Sequence, residues 1–252
     1  MPTAENIDDL IAILGNIIDD ARRRQSRDGY FPALYRLVTR AVKDGIANGR
    51  FEDGERMARL DVAFANRYLE AYDASRTGAY MTESWRIAFT AAETSDRIIL
   101  QHLLLGMNAH INLDLAVSAA SIAPGAAIKG LEHDFSAIND ILNEQIDKVQ
   151  SAIARVSPAM WVLDKVGGRN EERLVAFSLK KAREEAWRNA QRFAATPADG
   201  LARAIGSLDI VTAAIGQTVA NPPGMFTRMA LWWVVRQENA SVPAIIDALA
   251  AE

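Results

Sequence analysis

The chain has no cysteine in its 252 residues. That excludes disulfides, thiolate nucleophiles and zinc–thiolate clusters outright. It also lacks an excess of either charge: 28 Lys and Arg stand against 32 Asp and Glu, leaving a net −4 with the signs mixed along the chain. Nucleic acid requires a clustered basic footprint, so no nucleic-acid partner is expected. The one basic run, Arg22-Arg23-Arg24, reads as the last turn of a helix, where cations offset the macrodipole. Met1–Asp9 carries acids and no basic-then-apolar leader, and polar residues interrupt every apolar stretch before the ~20 needed to span a bilayer. A cytoplasmic protein with no membrane segment is expected.

Strand signals are scarce too. Alternating Val, Ile, Thr and Tyr bounded by turn residues is almost absent, whereas Ala, Leu, Arg and Glu recur at helical spacing. The pattern predicts helices over Glu5–Gln25, Pro32–Ala47, Asp53–Tyr72 and Thr82–Ala92, with Thr82 as an N-cap. It continues with Ser95–Ala120, Ala127–Val156, a short helix between Ser157-Pro158 and Gly167-Gly168, Glu171–Ala194 and Ala198–Val219. A helix carrying Trp232 and Trp233 follows the turn Asn221-Pro222-Pro223-Gly224, and a last short one follows Ser241-Val242-Pro243. No repeat, low-complexity tract or long linker divides the chain. Residues 1–252 are therefore expected to form a single all-α domain of about ten helices around a buried central one.

The segment Ile98–Leu115 is that central helix. Its apolar residues fall on every side, the mark of a helix buried all round. Six polar side chains interrupt it: Gln101, His102, Asn108, His110, Asn112 and Asp114. Each unpaired amide or imidazole would cost roughly 2 kcal/mol on burial, so each needs a partner. At ~100° per residue, Gln101, Asn108 and Asn112 share one stripe, while His110, Asp114 and Gly106 share another near the opposite side. The first stripe reads as glue between helices. On the second, the absent side chain of Gly106 admits a ligand or another helix. His102 lies ~12 Å along the axis from His110, too far for one ion to hold both.

Three readings of His110-x-x-x-Asp114 stand. It is an internal hydrogen bond fixing an imidazole in the core, a pair of ligands for one divalent ion (Zn or Fe), or a general base with its orienting carboxylate. Asp61, on the Met57–Phe64–Tyr68 side of its helix, points a second carboxylate at the core. Asn139 and Asp134 lie on or beside the apolar stripe of the long helix, whereas His133 faces away from it. Trp85, Arg86, Tyr30 and Tyr35 are pocket-wall candidates. No nucleophile elbow, phosphate loop, dinucleotide fingerprint or di-iron pair occurs in a convincing context.

The runs Arg59–Tyr68, Leu100–Leu115, and Asp134-Phe135 with Ile138-Asn139-Asp140 resemble an uncharacterised bacterial all-helical domain-of-unknown-function family over about Asp8–Ala195. That resemblance implies the fold and no activity. His110 and Asp114 also resemble one His-x-x-x-Asp element of zinc-dependent phospholipase C. The chain departs from that pattern, because Gly106 stands four after His102 and only three histidines exist. A trinuclear zinc site cannot be built from them.

Two functions are then in play. The first is a small-molecule enzyme, hydrolase-like or otherwise acid–base. In it His110, Asp114, His102 and Asp61 form the catalytic set, and Asn108, Asn112, Asn139, Asp134 and Trp85 contact the substrate. The second is a non-catalytic module binding an apolar ligand or a partner, including a homodimer through Met225, Phe226, Met229, Leu231, Trp232 and Trp233. An exposed patch at those residues favours the second; a cavity reaching His110 favours the first.

Overall fold

The computed structural model describes residues 3–159 and 179–251. Every regular element among them is helical. In order they are α1 (Ile7–Arg24), α2 (Tyr30–Ala47), α3 (Gly54–Thr77), α4 (Glu83–Ala92), α5 (Ile99–Ala109), α6 (Leu115–Ile122), α7 (Glu132–Val156), α8 (Leu179–Ala195), α9 (Ala198–Ala220), α10 (Met225–Gln237) and α11 (Val242–Ala250). The protein is all-α, as the periodicity predicts. The short helix expected after Ser157-Pro158 and the first residues of the Glu171 helix lie outside the described residues.

α5, a five-residue turn and α6 run on as one 24-residue rod, Ile99–Ile122. Among the described residues it alone is long and apolar enough to cross a membrane, yet 72% of its apolar window is buried. α2, α4 and α9 pack on its α5 half, and α3 and α8 on its α6 half. The rod starts at Ile99 rather than Ser95, because Glu238 accepts the Ile99 N–H (3.0 Å) and fixes the helix start there. α2 begins at Tyr30, two residues before Pro32, which puts Phe31 in the core facing the rod. A Cβ on Gly106 would lie 2.6 Å from the Phe31 ring, so the glycine admits a helix here.

Several buried carboxylates are spent on helix ends. Asp134 of α7 accepts the N–H groups of Glu52 (2.7 Å) and Asp53 (3.1 Å) before α3, together with Arg56 Nη2 (2.7 Å). Asp209 of α9 accepts the Glu83 and Ser84 N–H groups at the start of α4. Thr82 holds the N-cap position there, but its side chain makes no capping bond. A carboxylate at a helix N-terminus satisfies orphan donors and meets the positive end of the dipole.

Candidate functional site

The rod departs from α geometry where its polar residues fall. Over His110–Asp114 it makes a π turn, with the Leu115 N–H donating to the His110 carbonyl. Such single turns are rare and concentrate at functional sites. Inside it, His110 Nδ1 lies 3.2 Å from Asp114 Oδ2, and both residues are buried. Asp114 accepts two more bonds, from Arg67 Nε of α3 (3.1 Å) and from Trp85 Nε1 of α4 (2.8 Å).

The Asp114 carboxylate accepts from both Arg67 and Trp85 and serves as an acceptor toward His110 as well. Nδ1 therefore carries the imidazole proton and Nε2 keeps its lone pair. Burial, the largest influence, holds His110 below the ordinary imidazole range against the pull of Asp114, and Arg67 adds to the lowering. The ring is neutral at pH 7. Phe64 stacks on it at 3.5 Å between centroids, and Tyr35 meets it edge-on at 4.6 Å. These contacts fix the plane of the ring. Nε2 is buried and has no hydrogen-bond partner among the described residues.

His110 lines a cavity of about 280 Å³ between α2, α3, α5, α7 and α8, near the lower end of small-ligand pockets. Its walls are apolar, with Leu34, Val38, Leu103, Met107 and Ile138 among them, and are broken by Asp61, Tyr35, Gln145, Gln150 and Arg183. Asp61 sits one turn before Phe64 on α3. Its Oδ2 has no partner among the described residues, and burial pushes its carboxyl up to about 7. Near neutral pH the site thus offers a bare nitrogen acceptor and a carboxyl group that both holds and releases a proton.

The other candidate residues lie elsewhere. Trp85 and Asp114 stand behind His110 and orient it. His102 packs edge-on against Tyr30 and faces a separate space of about 20 Å³ beside Arg27 and Asp28, with room for about one water. Burial, the largest influence, lowers His102 to about 4 against a raising backbone contact with Arg97. Asn108 and Asn112 do not reach the cavity. Asn112 donates to Asn108, which donates to the Thr212 carbonyl, while Gln101 donates to that of Val219. The stripe glues α5 to α9. Asp134 is held at the start of α3, and Asn139 accepts from Arg183 Nε.

An ion shared by His110 and Asp114 does not fit this arrangement. The nitrogen facing Asp114 is the one bonded to it, both carboxylate oxygens already accept donors, and a guanidinium stands beside them. Glu52, His133 and Asp134 also place ligand atoms within 4.8 Å of one another. There too the buried carboxylate is committed to an arginine and two amides.

Arg67 and Arg183 are neighbours of the His–Asp pair and the cavity that the helical wheel did not single out. Arg183 was detectable: with Leu179, Ala182, Ala186, Ala190 and Phe193 it lies on the apolar face of α8. Arg67 carries no such signal, since its stem lies beside the buried face and only its guanidinium reaches Asp114.

Fold and site together define an all-α protein with a buried His–Asp pair whose histidine lines an apolar cavity. The model of the family of unknown function DUF5995 matches residues 7–222, and the chain belongs to that family. No curated protein and no solved structure matches it. The likeness to zinc-dependent phospholipase C is not upheld: the family is a different one, and His110 and Asp114 bond to each other instead of converging on a shared ion.

Proposed function

We propose that the protein is an acid–base catalyst acting on a small, largely apolar substrate held in the α2–α3–α5–α7–α8 cavity. One observation carries this reading: His110 lines the cavity with its Nε2 buried and without a hydrogen-bond partner among the described residues, while Asp114 holds its other nitrogen. In the proposed step, Nε2 takes a proton from a water or from an acidic C–H of the substrate. Asp114 stabilises the imidazolium that forms, and protonated Asp61 donates to the oxygen that gains charge. No Ser, Thr, Cys or Lys occurs among the described lining residues, which favours proton transfer over an acyl-enzyme on a hydroxyl or thiol. The test is turnover of short aryl esters, and deuterium exchange beside the carbonyl of apolar ketones, in wild type and His110→Gln. The variant is expected to lose about 10²-fold or more; equal rates in the two proteins would overturn the reading.

A second reading is favoured by the surface of α10, where Met225, Phe226, Met229 and Trp232 are more than half exposed. Such a row suits a partner protein or a second copy of the chain. Trp232→Arg would abolish any concentration-dependent association seen by sedimentation.

A further inference from the structure

Charged side chains that reach the interior of this fold are generally answered. Arg56 meets Asp134 at 2.7 Å and Arg67 meets Asp114 at 3.1 Å. Arg183 differs. It is only 4% exposed, and among the described residues no carboxylate lies within 4.0 Å of it. Its protein partners are neutral: Nε donates to Asn139 Oδ1 and Nη2 to the Phe135 carbonyl, each at 2.6 Å, and its guanidinium carbon lies 4.7 Å from the centroid of the Phe135 ring. A guanidinium has five N–H donors, so Nη1 and the second hydrogen of Nη2 are left without an acceptor among the described residues. Those donors share the end of the group that a carboxylate engages with two parallel bonds. Burial lowers Arg183 only to about 10, so it stays charged at neutral pH. A buried, uncompensated cation is costly, and native proteins pair such a charge.

Arg183 also lines the apolar cavity that holds His110 and Asp61. We infer that the cavity binds an amphiphilic carboxylic acid, its carboxylate on the free edge of Arg183 and its apolar body running among Leu103, Met107 and Ile138. This rests on the cavity being the ligand site. A dry 150 Å³ cavity takes a benzene, so about 280 Å³ suits roughly ten non-hydrogen atoms. Octanoate has that size.

The test is calorimetric titration of the full chain with octanoate and with 1-octanol, a neutral probe of nearly the same length. Wild type is expected to bind octanoate at least ten-fold more tightly. Arg183→Gln should bring the two affinities together, and Arg183→Lys should retain part of the preference, with thermal melts checking that each variant folds. The wild-type comparison needs no variant to fold. Equal or tighter binding of octanol, or a preference surviving in folded Arg183→Gln, would overturn the anion site while leaving the cavity a ligand site. Failure of both probes to bind, with the His110 imidazole signals unmoved, would overturn this inference and the cavity reading together.

Discussion

Replacing Asp61 with Asn should stabilise the protein, and more so as the pH rises. Among the described residues the carboxyl has a partnerless oxygen and no cation paired with it, and burial raises it from an ordinary 3.8 to about 7. An acid whose folded value is raised holds its proton in the native state while the unfolded chain has already released it. Stability is therefore unaffected below pH ~4, falls as pH climbs through the interval, and is lowest above 7. At 1.36 kcal/mol per unit, the penalty is roughly 1.5 kcal/mol at pH 5 and roughly 4 kcal/mol at pH 8. Asn does not titrate. The gain from Asp61→Asn should thus grow by about 2–3 kcal/mol between those pH values, or roughly 5–10 °C in Tm for a chain of this size. Taking the difference between pH values cancels whatever the amide does to packing. Paired thermal or urea melts at pH 5 and pH 8 measure it. An advantage that stays flat or shrinks with pH would refute the claim that Asp61 is desolvated without compensation.

Other consequences are as direct. Gly106→Ala puts a methyl into the Phe31 ring (2.6 Å) and should cost about 1–3 kcal/mol in urea unfolding, as overpacking does. Arg67→Met leaves the buried Asp114 without its cation; a loss of about 3 kcal/mol is expected. The same change should raise the His110 titration midpoint, because Arg67 helps to lower it. His102 is held near 4 against an ordinary 6.5. The unfolded chain therefore takes a proton that the folded ring refuses, and stability should drop by up to ~3 kcal/mol as pH falls from 6.5 to 4. His102→Phe should remove that slope.

The fold was legible in the sequence because the signal for it is additive. Many apolar residues at helical spacing, with Pro222, Pro223 and Pro243 as punctuation, outweigh any single misplaced residue. Pairing on the rod was legible as well, since i and i+4 spacing fixes which side chains meet. The turn at His110 was not, because nothing in Ala109–Leu115 distinguishes a π turn from an α one until Arg67 and Trp85 close on Asp114 from other helices. Asp134 shows a second limit. A carboxylate on an apolar stripe signals that a partner exists, not whether the partner is a substrate or, as here, the amides at the start of another helix. Distant capping of this kind is invisible until the helices are packed.

The account stands on the imidazole of His110 being neutral, protonated on Nδ1 and bare on Nε2. Long-range ¹H–¹⁵N correlation of histidine-labelled protein at pH 7 reads this directly. One ring among the three should show the Nδ1–H tautomer, with its Nε2 at the shift of an unprotonated nitrogen, and should vanish in His110→Gln. An Nε2–H tautomer or an imidazolium at His110 would contradict the claim, since either leaves Nε2 without a free lone pair.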